Sequence, residues 1–588
     1  MNRFKLYISI IIIVLSLHAC ESFEDIPLNL ATEDYMWDEN DATGEIASKW
    51  VTDMYSQLPA GYVRLNSMPL ECVSDDAVPS NTGNASWNVI RGGYSPMATF
   101  DDNWTNAYSQ FRRANIFLAN YKRIPFSDPS LPKYLEAEVR TIRAYYYFEL
   151  IKRYGGVPII GDKAFEATDP ELLSLKRNTF EECVNYIVSE LDAVTDNLRP
   201  EAPLSSRGSG NTTTDGEDNF AGRIRPTIAM AIKAKTLLYA ASPLFNEKPI
   251  GGGQNSLVGY TTYDKSRWEK AMLAAKKIID LQLFELEADR YIFCTTRVNR
   301  EIIWMRMGIK SPQLNYPRYM SPVGYFTDGT NRGQGYVSPT QELVDAFPMA
   351  DGSKFDWDNS VHAANPYANR DPRLDQTIFY NGARWLRRAV ETFENGQDKP
   401  NNTALIPNQT LTSYYAKKFL ANDAEKTACT AVHYHPSVQA PWSVIRYSDM
   451  LLMYAEAQNE FSGPTPEAIE YVRMIRARAG IQKGVTGKEY GIPDNINQAD
   501  FRQLIRDERR VEFAFEEQRY WDIRRWKIVE NTYGKPLHGL TITKESSGVL
   551  TYTKKEIVTP YFSEAMYLYP IALKETQVNP NMEQNPNY

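Results

Sequence analysis

The sequence predicts a mainly α protein, a tetratricopeptide-like helical-repeat scaffold with a loop-rich region of short strands inserted into it. Nine segments carry apolar residues at three- to four-residue spacing, the period of a helix with one buried face. Small residues line one side of several segments, which allows antiparallel helices to pack closely in units of about 34 residues. Between residues 292 and 441 this period gives way to short strand-like runs and turns.

Composition restricts the function before any motif is considered. The 588 residues are 43% hydrophobic, enough for an extensive buried core, so disorder is excluded as the dominant state. The net charge of -8 and the absence of a dense basic run argue against nucleic acid as a partner. The 37 tyrosines are a surplus that the function has to explain.

The predicted helices group into four pairs, two of them interrupted by insertions. They span residues 41–58, 102–121, 132–154, 179–198, 226–245, 264–281, 444–461, 466–479 and 501–529. Thr179 followed by Glu182 predicts a capping box at one helix start. Asp500, with Gln503 three residues on, predicts the start of one long final helix.

The first twenty residues carry a leader signal. Arg3 and Lys5 precede an apolar run over 8–17, too short for a membrane-spanning helix but typical of a signal peptide. Cys20 stands where cleavage would fall, which resembles a bacterial lipoprotein signal. We therefore expect a signal peptide over 1–19 and a lipid, such as palmitate, on Cys20. An ordinary secretory signal with a chance cysteine is the alternative.

The other four cysteines lie more than 100 residues apart, at 72, 183, 294 and 429. Two long-range disulfides are compatible with a location outside the cytoplasm. Four free, buried thiols are the expectation that we favour, because no CxxC spacing occurs.

Five sequence blocks, in order along the chain, resemble one known family. They are RAYYYF at 143–148 running to YGGVP at 154–158, RDPRL at 370–374, VIRYSDMLL at 444–452 with YAEA at 454–457, RDERRVEF at 506–513 with RYWD at 519–522 and RW at 525–526, and MYLYPI at 566–571 with NP at 579–580 and QNP at 584–586. The chain is similar in these blocks to the SusD/RagB nutrient-binding outer-membrane lipoproteins.

The resemblance implies a glycan-binding lipoprotein on the outer face of the outer membrane. It further implies a SusC-like TonB-dependent transporter as partner, with this protein acting as a hinged lid over the barrel, and no cofactor. We expect an N-terminal SusD-like helical-repeat region over 20–310 and a C-terminal SusD/RagB region over 311–588, packed together as one unit. Capture of peptides or glycoproteins with the same kind of transporter is an alternative, and a surface glycoside hydrolase is a weaker one.

One constellation has the form of a catalytic site. Glu508, Glu512 and Glu516 lie at i, i+4 and i+8, which places three carboxylates on one helix face. Paired carboxylates at short range are the machinery of retaining glycosidases. However, arginines crowd the same helix, and guanidinium groups lower the pKa that a catalytic acid needs to have raised. We therefore predict a structural ion-pair network and no enzyme.

A metal site is not expected. His433 and His435 form a spaced pair, but no third ligand stands at a recognisable distance. A chance surface pair is the preferred interpretation.

Sugars bind on exposed aromatic rings flanked by hydrogen-bonding side chains. Aromatic residues in loops therefore count for more than those on apolar helix faces. Two loop clusters qualify, one with Trp87, Asn88, Arg91 and Tyr94, and one with Tyr316, Tyr319 and Tyr325. We predict these seven residues as the ligand-binding set.

Overall fold

The computed structural model describes residues 36–588 apart from 60, 66, 167, 208–219, 288–298, 308–315, 326–331, 387 and 421–441. The leader, Cys20, Cys294, Cys429 and the His433–His435 pair lie outside the described residues. Helices dominate the described chain, which confirms the predicted mainly α fold class.

Seventeen α-helices occur in the described part of the chain. They are α1 (Glu45–Ser56), α2 (Ser86–Ile90), α3 (Trp104–Asn120), α4 (Leu131–Tyr154), α5 (Phe180–Val194), α6 (Pro226–Ala241), α7 (Pro243–Asn246), α8 (Ser266–Ile279), α9 (Tyr316–Met320), α10 (Gln341–Ala346), α11 (Ser360–Ala364), α12 (Pro372–Thr377), α13 (Tyr447–Ser462), α14 (Pro466–Ala479), α15 (Gln498–Glu512), α16 (Gln518–Arg525) and α17 (Leu573–Val578).

The long helices pack against one another in chain order, as a helical-repeat scaffold requires. α3 packs on α4, α4 on α5, α5 on α6, α6 on α8, α8 on α13, and α13 on α14. Small residues make the close approach possible, because Ala271 and Ala275 of α8 and Ala455 and Ala457 of α13 are fully buried. Residues 307–441 separate two strands, Ile302–Arg306 and Trp442–Arg446, which pair next to this scaffold.

Two helix starts illustrate how local sequence sets the boundaries. The Thr179 hydroxyl accepts from the Glu182 amide while the Glu182 carboxylate accepts from the Thr179 amide, so the predicted capping box is confirmed. At α14, Thr465 caps the first turn and Gly480 ends the helix in the left-handed region at φ 91°. Glycine carries no steric cost in that conformation.

The prediction of one long helix over 501–529 is wrong. α15 ends at Glu512 and α16 begins at Gln518, with Phe515 and Glu517 at φ 61° and 60° between them. The break turns Glu516 and Glu517 to different sides, where buried cations hold each of them. Asn497, not Asp500, is the N-cap, and its side chain accepts from the Asp500 amide.

A second boundary also differs from the prediction. Residues 444–446 belong to a strand, so the helix expected over 444–461 begins at Tyr447. The strand pairs with residues 302–306, whose strand-like pattern the sequence had indicated. The tertiary pairing therefore overrides the local helical pattern at this point.

Strands are short and form six two-stranded antiparallel sheets in the described chain. They are β1 (Ala77–Pro79) with β3 (Val337–Pro339), β2 (Ile302–Arg306) with β8 (Trp442–Arg446), β4 (Ile378–Phe379) with β7 (Tyr415–Ala416), β5 (Arg384–Trp385) with β6 (Arg388–Ala389), β9 (Gly484–Val485) with β10 (Lys488–Glu489), and β11 (Leu537–Lys544) with β12 (Leu550–Val558). β1 and β3 are far apart in sequence, so their pairing joins the N-terminal loops to the inserted region.

One hydrophobic core runs through nearly all of these elements. Cys72 and Cys183 are buried free thiols, as expected for these two positions. In the part of the chain that the structure describes, no helix combines the length and the apolar character needed to cross a membrane.

Candidate functional site

The β1–β3 ribbon brings the two predicted ligand loops together. Its antiparallel register places Pro79 opposite Val337. One residue further on, the Ser80 amide donates to the Tyr336 carbonyl at 2.9 Å. The chain that leaves β1 therefore enters the Trp87 loop beside the end of the tyrosine-rich segment. The ribbon thus brings together two loops that lie more than 200 positions apart in sequence.

Two tyrosines form the aromatic part of this surface. The Tyr319 and Tyr336 rings are stacked, with centroids 4.9 Å apart and planes inclined by 17°. The Tyr336 amide donates to the Tyr319 carbonyl at 2.8 Å, which fixes the two backbones side by side. Both rings are half-buried. Burial, followed by the neighbouring Tyr319, raises the pKa of Tyr336, so its hydroxyl stays protonated at neutral pH.

Polar side chains surround the stacked pair. The Gln334 backbone amide donates to the Arg318 carbonyl at 2.8 Å. The Arg318 Nε donates to the Arg332 carbonyl at 3.4 Å. The Asn408 Nδ2 lies 3.5 Å from Gln334 Oε1. Arg318, Gln334 and Asn408 are all half-buried.

Trp87 does not offer the accessible ring that its loop position predicted. Residues 86–90 form the short helix α2, in which Trp87 is only 4% exposed. Its indole Nε1 donates to the Pro79 carbonyl at 3.2 Å, at the end of β1. Arg91 lies over the other face of the indole, 5.1 Å from its centroid, and both Arg91 and Asn88 are exposed.

Three of the predicted tyrosines are also buried. Tyr94 packs edge-on against Phe100, with centroids 4.7 Å apart. Tyr316 packs against Tyr62 at 4.8 Å. Tyr325 donates from its hydroxyl to the Trp385 carbonyl at 3.0 Å, and Arg388 lies over its ring. These contacts make the three rings part of the packing under the loops, and whether they also touch a ligand stays a prediction.

Of the seven predicted residues, Asn88 and Arg91 are exposed and Tyr319 is half-buried. Tyr336, Gln334 and Asn408 lie around Tyr319 and were not predicted. Tyr336 lay at the end of the tyrosine-rich segment in sequence, but only its alternation with buried Val337 would have indicated an outward ring. Asn408 comes from a distant loop and carries no local signal.

The glutamates of α15 and the turn after it lie in a buried ion-pair network, as predicted. Glu512 accepts from Arg446 at 2.6 Å and from Arg373 at 3.0 Å. Glu508 accepts from Arg373 at 2.5 Å, and Glu516 accepts from Arg446 at 2.8 Å. Burial opposes ionisation of Glu508 and Glu516, but the neighbouring cations outweigh it and lower the pKa of both carboxyl groups.

These carboxylates are unsuited to general acid catalysis. All three are nearly inaccessible to solvent, and each is paired with at least two cations. Across the described residues, no group of three or more His, Cys, Asp or Glu side chains is arranged to hold a metal ion.

The described chain thus combines a helical-repeat scaffold with a half-buried tyrosine pair in its inserted region. Comparison with known families makes this specific. Residues 300–588 match a family model described as "SusD family", and residues 39–204 match one described as "Starch-binding associating with outer membrane". The chain belongs to the SusD/RagB family.

Individual relatives cover the whole chain at low identity. A curated SusD-like protein of Formosa agariphila is 23% identical over 100% of both chains. A solved SusD-like structure from Bacteroides fragilis is 26% identical, covers 95% of this chain and 99% of its own, and has a TM-score of 0.74. A second from the same species, named as a SusD-like carbohydrate binding protein, is 22% identical, covers 93% and 100%, and has a TM-score of 0.69.

Proposed function

We propose that this protein captures an oligosaccharide non-covalently at the cell surface and delivers it to a TonB-dependent outer-membrane transporter of the SusC type. The observation that carries the proposal is the Tyr319–Tyr336 pair, half-buried and flanked by Arg318, Gln334 and Asn408. A relative of similar fold is named as carbohydrate binding.

The chemistry of this surface suits a sugar. Sugar rings have C–H faces that pack on aromatic rings and hydroxyl groups that need donors and acceptors around the edge. The tyrosine pair supplies the platform, and the guanidinium and amide groups supply the hydrogen bonds. Asn88 and Arg91 are exposed in the loop that follows β1, and we propose that they extend this surface across the β1–β3 ribbon.

The buried aromatic residues have a supporting role in this proposal. Trp87 anchors α2 to β1 through its hydrogen bond to Pro79 and holds Arg91 above its ring. Tyr94, Tyr316 and Tyr325 pack beneath the loops. We propose that these four residues shape the surface and that Asn88, Arg91, Tyr319 and Tyr336 touch the ligand.

The proposed location is the outer face of the outer membrane, with a lipid on Cys20 as the anchor. The description of the family model matched by residues 39–204 supports an association with that membrane. Lipid chains anchor a protein by burying CH₂ groups, so no membrane-spanning helix is required. A cell-surface anchor keeps the captured ligand next to the transporter.

We propose binding without bond cleavage. The Glu508, Glu512 and Glu516 carboxylates are buried and paired with cations, which supports a structural role. The absence of turnover is testable, because incubation with a bound oligosaccharide should release no new reducing ends.

A glycan array tests the proposal. Soluble protein lacking residues 1–20 should bind a restricted set of oligosaccharides and should not bind peptides that lack sugar. Binding to unglycosylated peptides alone would contradict the proposal and favour the peptide-capture alternative. Release of reducing ends from any bound glycan would contradict the non-enzymatic part.

A further inference from the structure

A second concave site lies away from the tyrosine surface, between the C-terminal helices and the middle of the repeat scaffold. It has a volume of about 590 Å³, a size typical of small-molecule sites. Ile505 and the nearly buried rings of Trp268 and Trp526 form its apolar lining. Arg506 projects into it from the middle of α15.

Arg506 is unusual among the arginines of α15. Within the described residues it makes no ion pair and no side-chain hydrogen bond, although it is only half-exposed. Its guanidinium lies over the Trp526 ring, 5.0 Å from the centroid. Its neighbour one turn earlier, Arg502, donates to both oxygens of Glu460 at 2.5 and 2.6 Å. The groove therefore contains a guanidinium with its donors unused.

Two of the three acids that line the groove, Glu456 and Glu460, are already matched with other cations. Glu456 accepts from Arg525 at 2.5 and 2.7 Å and from the Trp526 indole at 2.7 Å. Glu460 is held by Arg502, as described above. Glu247 is exposed at the rim, where Lys527 also lies. Arg506 consequently has no carboxylate of its own.

The electrostatics agree with this geometry. Burial lowers the pKa of Arg506, and the nearby Glu456 does not compensate for it. Burial acts in the same direction on Arg525, but Asp522 and Glu456 outweigh it and raise the pKa of that group. A bound anion would supply to Arg506 what Asp522 and Glu456 supply to Arg525.

We propose that the Arg506 groove binds the carboxylate of a ligand about one or two sugar rings in size. A guanidinium presents a planar fork of donors that matches a carboxylate with two parallel hydrogen bonds. Trp526 beneath the guanidinium holds that plane in position, and the groove volume leaves room for the remainder of the ligand. Of the two guanidinium groups that line the groove, Arg502 is paired within the described chain and Arg506 is not, which calls for one carboxylate on the ligand.

The choice of a sugar as the carrier of this carboxylate rests on the proposed function, whereas the anion site does not. None of the residues lining the groove belongs to the Tyr319–Tyr336 surface. Substitutions at the two sites therefore test the two proposals separately. A uronic acid carries the carboxylate on a sugar ring and is the matching probe.

Isothermal titration calorimetry on the soluble chain with galacturonate, galactose and galactose 6-sulfate tests the proposal. We expect galacturonate to bind and galactose to bind at least about tenfold more weakly. Arg506→Gln should weaken galacturonate binding by about 10- to 100-fold, the range for hydrogen bonds to a charged group. Arg506→Lys keeps the positive charge but lacks the planar fork of donors, so its galacturonate affinity should lie between those of wild type and Arg506→Gln.

Arg112→Gln is the matched control, because Arg112 is an exposed arginine on α3 and pairs with Glu166 at 2.9 Å. It should leave galacturonate binding unchanged. Since Arg506 has no ion pair to lose, its substitution should also leave the melting temperature unchanged. Equal galacturonate affinity in wild type and Arg506→Gln would overturn the proposal, as would stronger binding of galactose 6-sulfate than of galacturonate.

Discussion

The Arg510 Nε donates to Asp76 Oδ1 at 2.7 Å, an ion pair that joins α15 to the residue just before β1. Asp76 is fully buried, and Arg510 also donates from Nη2 to the Asp75 carbonyl at 3.1 Å. β1 pairs with β3, which follows Tyr336 directly. Helix α15 therefore helps to fix the β1–β3 ribbon, which carries the proposed sugar surface.

Removing the Arg510 guanidinium should destabilise the protein. Arg510→Gln leaves the buried Asp76 carboxylate without its cation, and breaking a buried pair from one side costs about 3–5 kcal/mol. Urea denaturation should show this loss of unfolding free energy. Arg112→Gln, at an exposed pair, should change it by less than about 1 kcal/mol. Equal stability of Arg510→Gln and wild type would show that the pair does not hold β1.

Glu512→Gln tests the structural role of the glutamates in α15. The substitution removes a negative charge shared by Arg373 and Arg446, and we expect a loss of about 3 kcal/mol or more in unfolding free energy. Neither wild type nor variant should release reducing ends from an oligosaccharide. Activity in wild type that disappears in a stably folded Glu512→Gln protein would contradict this assignment.

Glu71 predicts a pH dependence of stability. Burial, and then the charge of Glu517, raise the pKa of Glu71 from its ordinary 4.5 to about 8. The folded state therefore retains a proton that the unfolded chain releases, and the contribution of this group to stability falls as the pH rises from about 4.5 to about 8. Glu71→Gln removes that dependence and preserves an oxygen that can accept from the Glu517 amide.

The free energy of unfolding of Glu71→Gln and of wild type should be measured at two pH values. Glu71→Gln should match wild type near pH 4.5 and exceed its unfolding free energy by about 4 kcal/mol near pH 8. Glu166→Gln, at an exposed carboxylate, serves as the control. A difference that does not grow between these pH values would show that Glu71 is ionised in the folded protein.

Cys20 tests the proposed anchor. Cys20→Ser in the full-length chain should abolish incorporation of labelled palmitate and move the protein from the membrane fraction to the soluble fraction. Cys183→Ser, at a buried thiol of the core, should leave both unchanged. Membrane association of Cys20→Ser equal to that of wild type would exclude a lipid on this residue as the anchor.

Several of the long helices could be predicted from the sequence because they bury a periodic apolar face, as α1, α3, α5 and α8 do. α14 begins and ends at the predicted residues, with Thr465 and Gly480 as local signals. The break between α15 and α16 could not be predicted, since it depends on distant partners. Arg446 holds Glu516 and Arg64 holds Glu517, and the backbone adopts positive φ values to reach both.

The candidate site could be predicted only in part from the sequence. Loop position and residue type drew attention to the segments around Trp87 and Tyr319, which the β1–β3 ribbon brings near each other. They gave no information on accessibility, because the burial of Trp87 depends on its hydrogen bond to Pro79 and on the β1–β3 pairing. Asn408 joins the surface through tertiary structure alone.

The most direct test of the central proposal is oligosaccharide affinity in tyrosine variants. The experiment is calorimetry with the best ligand from the glycan array on wild type, Tyr319→Ala, Tyr336→Ala and Tyr263→Ala. Tyr263 is 58% exposed and lies just before α8, so its variant is the control for loss of a surface tyrosine. Loss of a ring that packs on sugar should cost about 1.5 kcal/mol, roughly tenfold in Kd.

We therefore predict that Tyr319→Ala and Tyr336→Ala each weaken binding about tenfold with an unchanged melting temperature, while Tyr263→Ala binds like wild type. Wild-type affinity in both Tyr319→Ala and Tyr336→Ala would contradict the assignment of this surface as the sugar site.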